Sequence, residues 1–105
     1  MICKTPKPPY YAVIFTSTLN EVDERYTEMS DLTEAAAEKM DGYIGNEHFR
    51  NEDGFGIHVS YWKDMDSIRR WKDDELHKKA KQQGISEFYK NYTVRISKVE
   101  MDSSL

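Results

Sequence analysis

The tetrapeptide Asn51-Glu52-Asp53-Gly54 separates two runs suited to extended chain, Tyr43 to Arg50 and Phe55 to Trp62. Gly54 tolerates a positive φ and the residues before it favour turns, so the segment predicts a β-hairpin in the middle of the chain. An antiparallel pair fixed at its turn constrains the fold strongly, because every side chain of both strands is then assigned to a face. A two- or four-residue turn puts Tyr43, Gly45, Glu47 and Phe49 beside Gly56, His58, Ser60 and Trp62. It leaves Ile44, Asn46, His48 and Arg50 beside Phe55, Ile57, Val59 and Tyr61, the more aliphatic set.

The flanking segments complete the pattern. Residues 1–9 hold three prolines in four positions from Pro6 and read as an extended leader, since proline fixes φ and donates no backbone hydrogen bond. Tyr10 to Thr18 is a continuous β-branched and aromatic run, the signature of a central strand. Thr18-Leu19-Asn20-Glu21 has capping-box spacing and predicts a helix start. Val22, Tyr26, Met29, Leu32, Ala36 and Met40 then recur at helical spacing, up to a stop at Gly42. After the hairpin, Asp64 or Asp66 caps a second helix whose stripe is Met65, Ile68, Trp71, Leu76 and Ala80, ending near Gly84. Ile85, Phe88 and Tyr89 form a short apolar turn, and Tyr92 to Val99 alternates as a final strand with Val94 and Ile96 inward. Residues 101–105 are expected to fray.

Strand, helix, strand, strand, helix, strand is the split βαβ order of an α+β, ferredoxin-like fold: one antiparallel sheet with both helices on one face. A chain of 105 residues and 12.4 kDa is one domain, here residues 10–100, and buries only roughly 65% of its unfolded surface. The second sheet face must carry large side chains, and an aromatic-bearing bare face is an apolar patch that monomers rarely tolerate. Sheet-to-sheet packing of two copies, a homodimer, is the simplest remedy.

Nineteen acidic against 15 basic residues give a net charge of -4, with no cation excess for a phosphate backbone, so nucleic acid is not the expected partner. The longest uncharged stretch, Pro8 to Asn20, is too short and too hydroxyl-rich for a bilayer helix, so no membrane partner is expected either. The first residues lack an apolar core region and a cleavage site, which points to the cytoplasm. Cys3 is the only cysteine; it excludes an internal disulfide and is read as a terminal thiol without a role.

No phosphate loop, Cys-x-x-Cys pair, His-Glu-x-x-His pair or nucleophile elbow occurs. On the face partition above, His48 and His58 point to opposite sides of the hairpin and cannot easily share a metal; His77 stands alone on the second helix. No metal is expected. The aromatic residues Phe55, Tyr61, Trp62, Trp71, Phe88, Tyr89 and Tyr92 all follow the hairpin turn. Taken singly, each ring is most simply core. Together with His58 and His77 they also suit a cleft between the second helix and the sheet, shaped for a flat aromatic ligand. Asp73-Asp74-Glu75 and Lys78-Lys79-Ala80-Lys81 read as a solvated helix face with acids first and bases last. Gly54-Phe55-Gly56-Ile57-His58-Val59 keeps only part of the RNA-recognition motif, with Asp53 where a base belongs, and one cysteine cannot make a copper-chaperone thiolate pair.

From Tyr10 to Glu100 the chain resembles the antibiotic biosynthesis monooxygenase-like (ABM) domains of the dimeric α/β-barrel superfamily. The resemblance lies in Tyr11-Ala12-Val13-Ile14-Phe15, Asp41-Gly42-Tyr43-Ile44-Gly45 and Asp53-Gly54-Phe55-Gly56-Ile57-His58-Val59-Ser60-Tyr61-Trp62. It continues through Trp71-Lys72, His77, Ala80 and Tyr92 to Glu100. The resemblance implies a homodimer with its two sheets face to face and a pocket in each subunit between sheet and helices. It implies oxidation of phenolic or anthrone-like compounds by O2 with no flavin or metal, hence no cofactor, because the substrate's own carbanion passes an electron to oxygen. The protein then binds, desolvates and deprotonates the substrate.

On this reading His58 or His77 is the proton acceptor, and Tyr61, Trp62, Trp71, Phe88 and Tyr89 bind the substrate. The alternative is a non-catalytic dimeric module that binds a small molecule or serves in stress response. A haem-binding or haem-degrading branch uses a strand-one Asn and a Trp and a more distant His on the second helix. Here no Asn precedes Asn20 in strand one, and His77 follows Trp71 by six positions, with Lys81 nearer the expected place.

Overall fold

The computed structural model describes residues 2–21, 24–74, 78–79, 82 and 88–105. Val22, Leu76, His77, Ala80, Gly84 and Ile85, to which the sequence assigns roles, lie outside the described residues. The elements are β1 (Tyr10–Leu19), α1 (Glu24–Glu38), β2 (Tyr43–Arg50), β3 (Phe55–Trp62), α2 (Met65–Asp73) and β4 (Tyr89–Val99). The strands form one sheet in the order β2-β3-β1-β4, every neighbouring pair antiparallel. This is the α+β, ferredoxin-like arrangement that the segment order implies.

The hairpin forms where expected but in a different register. Asn51 N–H donates to the Phe55 carbonyl (2.8 Å), Gly54 N–H to the Asn51 carbonyl (3.1 Å) and Phe55 N–H to Asn51 Oδ1 (3.0 Å). These bonds close a three-residue loop, Glu52 to Gly54, with Gly54 at φ 92°. Such a loop pairs even positions with even: Arg50 opposes Gly56, His48 opposes His58 and Asn46 opposes Ser60. A register shift between Tyr43 and Gly45 then restores the expected Tyr43–Trp62 pairing. The face partition drawn for a two- or four-residue turn therefore holds only at that end; Asn46, His48 and Arg50 share a face with Trp62, not with Tyr61.

Three other boundaries and one position of a helical stripe depart from local expectation. Thr18 does not begin a helix: it pairs with Phe55 on β3 and Asn91 on β4, so two ladders outweigh the capping spacing of Thr18 to Glu21, and α1 starts at Glu24. Leu32 drops out of the apolar stripe, being 57% exposed, and Ala37 is the buried position of α1. Asp64 does cap α2, accepting from Ser67 N–H (2.8 Å) and Ser67 Oγ (2.7 Å), but the helix stops at Asp73 because Asp74 is extended (φ -64°, ψ 134°). Finally β4 begins at Tyr89, earlier than Tyr92; Thr18 pairs with Asn91 and Leu19 with Tyr89, so an irregularity at Lys90 turns Tyr89 and Tyr92 toward the same side.

The core sits between the helices and the sheet, where Ala37, Trp62, Ile68 and Trp71 pack with Tyr11, Val13, Met40 and Tyr43. The sheet's opposite face is closed at one end by the chain termini. Tyr10 OH accepts from Thr5 Oγ1 (3.1 Å) and donates to Asp102 Oδ2 (2.6 Å), so the C-terminal segment is tied down at Asp102. Tyr61 meets Tyr10 edge-on (5.9 Å, 82°) and donates to Glu47 Oε1 (2.6 Å), whose other oxygen accepts from Cys3 N–H (2.9 Å). These two bonds hold the Glu47 carboxyl below its ordinary range, while burial and the Glu47 charge push the Tyr61 hydroxyl up. At the other end Phe49 (75% exposed), Phe55 (46%) and Ile57 (43%) remain open.

Gly42, at φ 90°, joins α1 to β2 and lies against α2: a Cβ built on it collides with the Ser67 side chain. Gly42→Ala is expected to lower stability by about 1–3 kcal/mol, whereas Leu32→Ala should change it by no more than about 0.5 kcal/mol, both read from urea unfolding.

Candidate functional site

The inner face of the sheet is organised in rows across its strands. Trp62 lies between Tyr43 and Tyr11; Ser60 between Asn46 and Val13; His58 between His48 and Phe15; and Gly56 between Arg50 and Ser17. On the far side of β1, Ile96, Val94 and Tyr92 extend the last three rows. Above this floor lies a cavity of about 280 Å³, walled by Tyr26, Met29 and Thr33 of α1, Ile68 and Trp71 of α2, and Phe88 and Tyr89 at the start of β4.

Ring-to-ring contacts build both ends of the cavity. At one end Trp62, fully buried, donates its indole N–H to Ser60 Oγ (2.9 Å), stacks on Trp71 (6.1 Å, 28°) and takes Tyr43 edge-on (5.3 Å, 89°). At the other, Phe15 stacks on Tyr92 (5.5 Å, 22°) and meets Tyr89 (5.3 Å, 66°), while Tyr26 stands edge-on to Phe88 (5.7 Å) and Tyr89 (5.9 Å). Burial, followed by the neighbouring Tyr26 hydroxyl, pushes the Tyr89 phenol well above its usual range, so it stays protonated.

Between these ends is His58. Burial pushes its imidazole below the ordinary value of 6.5, the His48 and Arg50 charges push the same way, and Glu34 opposes them. The ring is therefore neutral near pH 7, the form that accepts a proton. His48 stacks on it (5.6 Å, 19°) and is oriented in turn: its Nδ1 lies 3.1 Å from Asn46 Oδ1, and the Asn46 amide donates to Glu34 Oε1 (2.9 Å) and Tyr43 OH (2.6 Å). A smaller hollow of about 90 Å³, bordered by Ser30, Glu34 and His48, adjoins the cavity at His58 and Arg50.

Arg50 occupies the row beyond His58. Its guanidinium donates to the Gly54 carbonyl (2.6 Å), Ser17 Oγ (2.8 Å), Tyr26 OH (3.1 Å) and, more weakly, the Ser17 carbonyl (3.3 Å). It also lies 5.4 Å from the Tyr26 ring centroid.

Of the residues selected from the sequence, His58, Trp62, Trp71, Phe88 and Tyr89 meet around this one cavity. Tyr61 does not; it alternates with Trp62 and points through the opposite face, onto Tyr10 and Glu47. His77 lies outside the described residues. His48 and His58, expected on opposite sides, stand side by side, yet among the described residues no group of three or more His, Cys, Asp or Glu side chains is placed to hold a metal ion. Arg50, His48 and Tyr26 were not singled out beforehand. The one local signal for Arg50 is Gly56, and it becomes readable only when the register is known. Among the described residues no helix is long and apolar enough to cross a membrane.

The chain is 44% identical over 99 residues to the uncharacterised protein YqjZ of Bacillus subtilis (strain 168), a match covering 94% of this chain and 87% of that one. Among solved structures, SnoaB, a cofactor-independent oxygenase from Streptomyces nogalater, superposes with a TM-score of 0.73 at 13% identity, over 93% of this chain and 98% of the other. A conserved protein from Methanosarcina mazei Go1 superposes with a TM-score of 0.75 at 13% identity, over 85% and 91% of the two chains. A putative antibiotic biosynthesis monooxygenase from Nitrosomonas europaea does so at 0.71 and 8% identity, over 90% and 92%. At such identities the superpositions speak for a shared fold. Residues 12–97 match the family described as Monooxygenase af470-like, and with that match the chain belongs to this family and carries an ABM-like domain.

Proposed function

We propose that the cavity is the active site of a cofactor-independent monooxygenase acting on a small aromatic, phenolic substrate. The observation that carries this reading is a neutral His58 on the floor of an aromatic-walled cavity, in a chain of a monooxygenase family. SnoaB, which shares the fold, is a cofactor-independent oxygenase. His58 takes a proton from the substrate; the resulting anion gives one electron to O2, the radical pair recombines as a peroxide anion, and the proton returned by His58 makes it a hydroperoxide. Loss of water leaves a carbonyl, so a ring methylene and O2 become C=O and H2O. The chain's own task is to bind the ring between Trp62, Trp71 and Tyr89, exclude water and accept the proton. His77 is the second candidate for that acceptor. An open cavity of about 280 Å³ favours catalysis over a module whose cleft is filled by its own rings.

The fold's outer face supports a homodimer in the same reading. Phe49, Phe55 and Ile57 form an exposed apolar area beside the closed end of the sheet, and a second copy laid on it removes that area from water.

With an anthrone or a dihydroxynaphthalene, oxygen uptake is expected, and His58→Ala should lower kcat/KM by about 10²–10⁴-fold, with His77→Ala run in parallel. Absence of uptake across a broad hydroxyarene panel overturns the assignment. Because the folded-state value of His58 is depressed, its neutral form persists below pH 6.5, and the acid limb of kcat/KM should fall below the ordinary histidine range. Tyr61→Phe should leave KM within about twofold while Trp71→Ala raises it at least about tenfold, since only Trp71 faces the cavity. Light scattering should report twice the 12.4 kDa chain mass, and Phe49→Asp should shift the population to monomer; a wild-type monomer rules the dimer out.

A further inference from the structure

We propose that this cavity takes its ligand as an aromatic oxyanion, a ring bearing a carboxylate or an ionised phenol, with the negative charge received at Arg50. The inference deepens the reading of the same site but rests on binding, not on oxygen chemistry.

A guanidinium keeps its charge at every accessible pH, and a partly buried charge is costly unless an opposite charge meets it. The partners of Arg50 are two backbone carbonyls and two hydroxyls, all neutral, under the Tyr26 ring. Among the described residues no carboxylate pairs with it. Glu34, the carboxylate that borders the cavity, is held by the Asn46 amide. Lys72 also borders the cavity and His58 is neutral, so among the described residues its charged lining is one carboxylate against two cations, in a chain of net charge -4.

The seat of this cation is built. Arg50 lies across Gly56 to reach Ser17 on the next strand but one, and a Cβ at position 56 would stand 2.9 Å from Arg50 Cζ. A structural clamp between the hairpin end, β1 and α1 accounts for the hydrogen bonds. It does not account for a permanent charge that has no counterion among the described residues beside an aromatic cavity. An incoming oxyanion supplies that counterion and takes the N–H now spent on the long 3.3 Å bond to the Ser17 carbonyl. Because the Arg50 row adjoins the His58 row, a ligand anchored there lays its ring over His58 and points it toward Trp62.

The test compares 2-naphthoate with its methyl ester above neutral pH, read by quenching of tryptophan fluorescence. In the wild type the acid should bind at least about tenfold tighter than the ester, and added salt should weaken only the acid. Arg50→Gln should bring the acid-to-ester ratio near one without weakening the ester comparably, and Arg50→Lys should retain the preference. A purely structural Arg50 makes both probes weaken together. The phenolate arm uses 4-nitrophenol, whose phenolate absorbance reports its ionisation; bound to the wild type it should ionise about one pH unit lower than in solution. Equal affinity of acid and ester in the wild type, no binding of either at millimolar concentration, or a preference that survives Arg50→Gln overturns the proposal. Should Arg50→Gln fail to fold, the wild-type ratio and Arg50→Lys decide. An acid preference without oxygen uptake sinks the monooxygenase reading alone, and oxygen uptake with no acid preference sinks this one alone.

Discussion

The conformation of Gly54 is the constraint on which the inner face of the sheet depends. At φ 92° it closes a three-residue turn, and that odd length sets the parity with which β2 meets β3. A turn shorter or longer by one residue would send Asn46, His48 and Arg50 to the other face of the sheet. His48 would then no longer stack on His58, and Arg50 would have no Gly56 to lie across. Pairing with β1 carries the same parity to Ser60, His58 and Gly56, opposite Val13, Phe15 and Ser17. Three of the four rows of the cavity floor are thus a consequence of one turn, and the fourth, that of Tyr43, Trp62 and Tyr11, follows from the register shift between Tyr43 and Gly45.

This explains which parts of the molecule were legible in the sequence. The order of elements could be read because each has a local cause: β-branched and aromatic runs for the strands, Asp64 ahead of α2, turn residues at the hairpin tip. The pocket residues Trp62, Trp71, Phe88 and Tyr89 could be read as a group because each is a large ring on the hairpin, the second helix or the approach to the last strand. Register could not, since it depends on one residue more or less. Asn51 to Gly54 is compatible with loops of either parity, and the shift near Ile44 leaves Tyr43–Trp62 paired as expected while every pair beyond it moves. Arg50 is misplaced for this reason, whereas Tyr61 is not: alternation along β3 sets it opposite Trp62 in any register. Thr18 shows the complementary failure: its capping pattern is sound locally, but strands distant in sequence claim its backbone on both sides.

The two faces of the sheet divide the polar chemistry between them. On the outer face two carboxylates have partners at close range: Glu47 accepts from Tyr61 and Cys3, and Asp102 accepts from Tyr10, so these groups lock the termini onto the sheet. On the inner face Ser60 meets the Trp62 indole, His58 the His48 ring, and Arg50 the oxygens of Ser17, Gly54 and Tyr26. Groups satisfied in the first manner have little left to offer a ligand, whereas a neutral imidazole and a guanidinium with no carboxylate partner among the described residues each retain a capacity, one for a proton and one for a negative charge.

A chain this small has few residues to spare for a hollow, and the rings show how it keeps one. Trp62 leans on Trp71 at one end, and Phe15, Tyr26, Phe88, Tyr89 and Tyr92 brace one another at the other, so each wall is supported from behind or from the side and not from across the cavity. Edge-on and offset contacts hold rings apart at 5 to 6 Å while still removing their faces from water. Aliphatic side chains in the same places would collapse inward to fill the space. The rings around the cavity, Phe15 and Tyr26 as well as those that follow the hairpin turn, are therefore better explained by the need to frame an opening than by the need to fill a core.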